Sequence, residues 1–194
     1  SITPVYRALG QNELAPMTIP AFNVRGLTYP LARAIWRVAL QQQCGPIIFE
    51  LAPSESTGCD QTFEEYAAMV MAAAFKEGYR GPVFLQGDHF SLESTVDLKR
   101  LENLAHEVIE SGFYQIDIDG SHLFNTEAKK LTDFHAPNAQ LSAQLITVLR
   151  QMQPKGVHLT LGGEVGEIGG RNTTIADLEA FYALLNQSLP TGVA

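Results

Sequence analysis

Three times along this chain a short apolar run ends in an acidic residue beside glycine, and a turn or helix signal follows. The three ends are Gln86-Gly87-Asp88-His89, Asp117-Ile118-Asp119-Gly120-Ser121-His122 and Gly162-Gly163-Glu164-Val165-Gly166. Repetition of this kind predicts βα units, in which parallel strands alternate with helices. Enzymes built from such units carry their chemistry at the carboxyl ends of the strands. Acidic groups converging on one rim point to a hydroxyl-rich or metal-bound substrate, so the chain reads as part of an enzyme.

The rhythm extends over the whole chain. Residues 4–12 read as a short helix and 19–24 as a first strand. A helix follows over 28–43, with Leu31, Ile35, Val38 and Ala39 recurring at helical spacing and Pro30 in its first turn. Residues 46–51 form a second strand. Thr62-Phe63-Glu64-Glu65 fits a capping box opening a helix that closes near Gly78, and its Met69, Met71 and Ala72–Ala74 read as packing against the sheet. A third strand spans 82–86, and Ser91 is expected to cap the helix running to Gly112. A fourth strand covers 113–119, an irregular stretch reaches Pro137, and a helix runs to Met152. A fifth strand spans 157–165 and a last helix runs from Thr174 to Leu185.

Side chains alternate across a strand, so Gln115, Asp117 and Asp119 share one face, as do Phe84, Gln86 and Asp88 in the third strand and His158, Thr160 and Glu164 in the fifth. Open parallel sheets covered on both sides have apolar strands. Polar faces in successive strands suit a barrel whose upper interior is a reaction chamber. The expected fold is therefore α/β, a TIM (β/α)8 barrel. Such a barrel takes eight strands and about 250 residues, whereas 194 residues supply the first five to six βα units. The expectation is one domain over 1–194, the N-terminal part of an incomplete barrel.

Composition narrows the class. Lys and Arg total 13 against 21 Asp and Glu, a net charge of −8, and no basic cluster exceeds two adjacent residues. Nucleic-acid and membrane-surface partners are not expected. The hydrophobic fraction of 45 % supports a packed core, and the longest apolar run, Ala67 to Phe75, is far short of the roughly 20 residues that span a bilayer. Two cysteines, Cys44 and Cys59, without CxxC spacing suggest a reducing, cytoplasmic setting.

Five blocks, Ile19-Pro-Ala-Phe-Asn-Val24, Pro46-Ile-Ile-Phe49, Gly87-Asp-His89, Ile118-Asp-Gly-Ser-His-Leu123 and Glu164-Val-Gly-Glu-Ile-Gly-Gly170, follow one another in the order and spacing of class II, zinc-dependent ketose-bisphosphate aldolases. The chain resembles that family over nearly its whole length. The resemblance implies a TIM barrel that reversibly cleaves a phosphorylated ketose, fructose- or tagatose-1,6-bisphosphate, into dihydroxyacetone phosphate and an aldehyde. It implies Zn2+ as cofactor and a dimer or tetramer, or a hetero-oligomer with a related aldolase. By the same resemblance Asp88 is the catalytic acid/base, His89 a zinc ligand, and Asp119 and Glu164 acidic groups near the metal; Asn23 faces the substrate. Glu50 on the second strand and Gly163 beside Glu164 complete the expected substrate-binding set.

The chain departs from the family at Gln86, where a histidine is usual, and at Ala52, where a serine is usual. With Glu50, these departures also resemble the non-catalytic partner subunit of tagatose-bisphosphate aldolase. The family's two further zinc histidines and its phosphate-binding loops are expected beyond Ala194. Bland readings stand beside these. Asp88 is also placed to cap the following helix, and His122 reads as a loop or capping residue. His106 and His135 read as surface or packing residues, and His158 as the start of a strand far from the chemistry. Gly162-Gly163 and Gly169-Gly170 suit either phosphate contacts or tight turns.

Overall fold

The computed structural model describes residues 1–92, 97–166, 169 and 171–193. Along them run α1 (Thr3–Gly10), β1 (Ala21–Asn23), α2 (Thr28–Gln41), β2 (Ile48–Leu51), α3 (Pro53–Gly58), α4 (Phe63–Glu77), β3 (Phe84–Ser91), α5 (Asp97–Glu110), β4 (Gln115–Asp119), α6 (Leu131–Met152), β5 (Thr160–Glu164) and α7 (Ile175–Ser188). The strands form one sheet in the order β1-β2-β3-β4-β5, and β1 with β2 and β2 with β3 pair in parallel. A doubly wound sheet reverses its order at a switch point. Here every strand is added beside its predecessor, the winding of barrel-type βα units that the polar strand faces predict. Among the described residues no helix is long and apolar enough to cross a membrane.

The chain divides into two compact units. One comprises Ser1–Asp88, Glu107–Ile116 and Gly156–Thr160, the other His89–His106, Asp117–Lys155 and Leu161–Ala194. In the first, α2 packs on α4 around Trp36, which is 1 % exposed. Its ring stacks on Tyr79 at 4.2 Å, lies 5.2 Å from Phe49, and its Nε1 donates to Val70 O at 3.3 Å. The buried face of α2 is thus Thr28, Ala32 and Trp36, not the expected stripe. Leu31 and Val38 are exposed, and Ile35, Val38 and Ala39 border an open apolar groove with Pro20, Phe22 and Ile47. The helix carries two apolar stripes, and the one bearing the large aromatic ring buries more area. Thr62 accepts a bond from Glu65 N and Gly78 closes α4 at φ 83°, as the capping pattern predicts. Its buried face is Phe63, Tyr66, Ala67, Val70, Ala73 and Ala74; Met71 and Ala72 point outward, correcting that part of the packing stripe.

In the second unit α6 packs on α7. The expected irregular stretch up to Pro137 is shorter, because α6 begins at Leu131 and holds Pro137 inside it. A proline within a helix costs about 3 kcal/mol. Burial of Leu141, Leu145 and Leu149, at roughly 1.5–3 kcal/mol each, outweighs that cost. The last helix begins where the sequence predicts, and the structure adds a capping box there, Thr174 and Asp177 exchanging bonds at the start of α7. Ser91 is the last residue of β3 rather than a helix cap, and residues 93–96 lie outside the described residues. So do Glu167, Ile168 and Gly170 of the Glu164–Gly170 motif.

Candidate functional site

In the first unit, register sets Asn23 beside Glu50 and Glu50 beside Gln86. Gln86 Nε2 donates to Glu50 Oε2 at 3.1 Å, and Gln115 Nε2 donates to Gln86 Oε1 at 3.2 Å. A carboxylate only accepts, so Glu50 fixes the direction of both amides: each turns its NH2 toward Glu50 and its carbonyl away. The row ends at Gln115 Oε1, a buried acceptor without a hydrogen-bond partner among the described residues. Asp88 shares a strand face with Gln86, and Asn23 Nδ2 donates to its Oδ2 at 3.4 Å. Asn23 Oδ1 is likewise buried and unpartnered among the described residues.

In the second unit three strand ends converge. His89 has φ 49°, a left-handed conformation that is uncommon for any residue with a Cβ and that concentrates at functional sites. Its Nδ1 lies 3.2 Å from Asp119 Oδ2 and 3.1 Å from Glu164 Oε1, with the side chain 48 % exposed. Asp119 is held firmly: Ser121 N and Oγ donate to its Oδ1 at 3.0 and 2.7 Å, and Ser91 Oγ to its Oδ2 at 3.3 Å. Burial alone would raise the Asp119 pKa, but the two bonds from Ser121 and the neighbouring His89 outweigh it and hold it below the ordinary value.

Glu164 goes the other way. Burial, a hydrogen bond with Asp117, and the charges of Asp119 and Asp117 push its pKa up to about 7. After burial, the neighbouring Asp117 carboxyl is the next cause of that rise. Gly162 makes this closeness possible, since a Cβ there would stand 2.8 Å from Asp117 Oδ1. Gly162→Ala is expected to drive the Asp117 carboxyl from Glu164 and lower the Glu164 pKa from about 7 toward its ordinary 4.5. Carboxyl carbon NMR titration of the metal-stripped protein measures this. An unmoved Glu164 midpoint would refute the part assigned to Asp117.

His89, Asp119 and Glu164 each present one donor atom, all within 4.8 Å of one another. Tetrahedral zinc spaces its donors about 3.3 Å apart, close to the two separations at His89 Nδ1. One imidazole and two carboxylates on a half-exposed rim leave a position for water or substrate, as catalytic zinc sites do. These residues fit the metal.

The structure thus gathers His89, Asp119 and Glu164 into one cluster and joins Asn23 to Asp88 and Glu50 to Gln86. Gly163 lies exposed on β5, where a Cβ would meet only the Phe181 ring at 3.6 Å. His122 stands outside the cluster, in the turn after β4, with Nε2 buried and unpartnered among the described residues. His135 is not in a loop: it lies within α6, 2 % exposed, with Nε2 2.9 Å from Asp177 Oδ1. Two further participants escape a sequence reading. Asp117 was marked only by its parity with Asp119, and Asn138, which donates to Glu164 O at 2.8 Å, carries no sequence signal.

Among curated proteins no relative matches the chain. The model of the family described as fructose-bisphosphate aldolase class-II matches residues 6–189, a span that takes in every strand and both groups of polar residues. The ends of β3, β4 and β5 therefore carry their acidic residues as a member of that family, and the chain belongs to the class II fructose-bisphosphate aldolases.

Proposed function

We propose that this chain carries out zinc-assisted aldol cleavage of a phosphorylated ketose, yielding dihydroxyacetone phosphate and an aldehyde. The convergence of His89 Nδ1 with Asp119 Oδ2 and Glu164 Oε1 is the observation that carries the reading. His89, Asp119 and Glu164 would hold the ion, which when bound supplies an electrophile for the ketose carbonyl. Asp88, next to His89 in the chain, takes the proton of the C4 hydroxyl as the C3–C4 bond breaks and returns it in condensation. The Asn23 amide donates to Asp88 Oδ2 at 3.4 Å, tying the two residues together across the sheet. Asn23 Oδ1, buried without a partner among the described residues, is an acceptor suited to a sugar hydroxyl.

The test is zinc titration of the metal-stripped chain, followed by aldol-cleavage assays on fructose- and tagatose-1,6-bisphosphate. Zinc is expected to bind and to restore turnover lost on chelation, with His89→Ala weakening both. Turnover that survives exhaustive chelation would defeat the reading and favour an isomerase using two carboxylates.

A second reading follows from Gln86. It occupies the family's usual histidine position and is tied between Glu50 and Gln115, so it is engaged in the sheet's polar row. On that reading the chain is a non-catalytic subunit that stabilises a related aldolase. A chain that binds no zinc and turns over neither substrate, yet raises a partner aldolase's activity, would establish it.

A further inference from the structure

We propose that Asn138 is a positioning residue for the metal centre, setting the separation between the carboxylates of Asp119 and Glu164. The inference rests on the reading of His89, Asp119 and Glu164 as zinc-holding residues. Asn138 is 1 % exposed and lies on α6. Its Nδ2 donates to the backbone carbonyl of Glu164 at 2.8 Å. That carbonyl belongs to the last residue of β5, and the amide hydrogen bond anchors it from the α6 side. At its other end the amide accepts: Ser142 Oγ, one helical turn on and 2 % exposed, donates to Asn138 Oδ1 at 3.0 Å.

The same amide lies against the end of β4. A Cβ on Gly120, the residue directly after Asp119, would stand 2.3 Å from Asn138 Oδ1 and 2.9 Å from its Cγ. Such an approach is possible only for glycine, because the amide is bonded at both ends and cannot swing aside. One rigid group on a helix therefore bonds the backbone of one carboxylate residue and abuts the residue following the other. Zinc demands donor positions within a few tenths of an ångström, and side chains are only as well placed as the backbone that bears them. A buried amide that is satisfied on both faces resists displacement, because moving it would strand polar groups. Nothing about Asn138 brings it to the metal or to substrate, so its action is through Glu164 and Gly120.

Zinc affinity of the metal-stripped chain, measured with Zn2+ alone by competition with a chromophoric chelator, reads this without any turnover assay. Asn138→Ala is expected to weaken zinc about 10- to 100-fold, the range seen when outer-shell partners of ligands are removed. Gly120→Ala is expected to do the same, since its methyl would displace the amide. In the Asn138→Ala background the amide that the added methyl would strike is gone, so the double variant is expected to bind zinc no worse than Asn138→Ala alone. Parent-like affinity in a folded Asn138→Ala protein, or losses that simply add, would overturn the proposal. If Asn138→Ala does not fold, Gly120→Ala decides, and parent-like affinity there overturns it equally. His89→Ala separates the two levels of the argument. Zinc binding indifferent to His89→Ala would remove the metal reading and this inference with it. Binding lost in His89→Ala but untouched in Asn138→Ala and Gly120→Ala would remove the positioning role alone.

Discussion

Turnover is expected to fall by about a hundred- to ten-thousand-fold when Asp88 is replaced by alanine, the range for loss of a positioned general acid or base. Aldol cleavage needs the C4 hydroxyl proton to leave as the C3–C4 bond breaks, and Asp88 is the carboxylate beside His89 in the second half of β3. Zinc affinity is expected to stay near that of the parent, since the donors proposed for it are His89, Asp119 and Glu164. Asp88→Asn sharpens the test. It keeps the side chain's size and can still accept the Asn23 bond, yet it cannot take a proton. An equal loss in both variants assigns the effect to basicity, whereas a mild loss in Asp88→Asn would reduce Asp88 to an orienting role. Steady-state kcat alongside a zinc titration decides, and near-normal turnover in Asp88→Ala would sink the assignment altogether.

The second large effect is on stability. Asp177 is 1 % exposed. It accepts bonds from both terminal nitrogens of Arg171, from Thr174 N and Oγ1 at 2.9 and 2.6 Å, and from His135 Nε2 at 2.9 Å. It thereby joins α6, the segment after β5 and the first turn of α7. Asp177→Asn is expected to destabilise the protein by about 3 kcal/mol, the lower end of the cost of breaking a buried ion pair. The lower end applies because the Arg171 side chain is 52 % exposed and can turn to water. His135, by contrast, is buried and left with a neutral partner.

The sign with pH follows from the same contacts. Arg171 above all, helped by Thr174 and His135 and opposed by burial, holds the Asp177 carboxyl far below the usual range. A depressed carboxylate contributes stability that is present above its unfolded value, about 3.9, and is lost as pH falls toward the folded one. Denaturant melts on acidification are thus expected to show the parent losing stability below about pH 4 more steeply than Asp177→Asn. Parallel slopes would show that this pair does not govern acid unfolding.

Periodicity and strand-end chemistry alone determined much of this protein. Apolar runs of strand length, Thr62 as a cap and Gly78 as a stop were legible because each acts over a few neighbouring residues. That acidic strand ends would meet on one rim was legible too, since parallel strands bring their carboxyl ends to one side, whereas the grouping of His89 with Asp119 and Glu164 followed from the family resemblance. Tertiary structure decided what local pattern leaves degenerate. Which of two apolar stripes on α2 is buried depended on Phe49 and Tyr79, aromatic rings distant in sequence that stack around Trp36. Whether α6 starts before Pro137 depended on contacts of the turn ahead of it, among them buried His135 against Asp177. The raised pKa of Glu164 beside Asp117, the buried Asp177 hub and the bond from Asn138 to Glu164 O exist only through pairings between residues far apart in the chain. No single segment encodes them, because the free energy of each lies in the pair and in the exclusion of water around it.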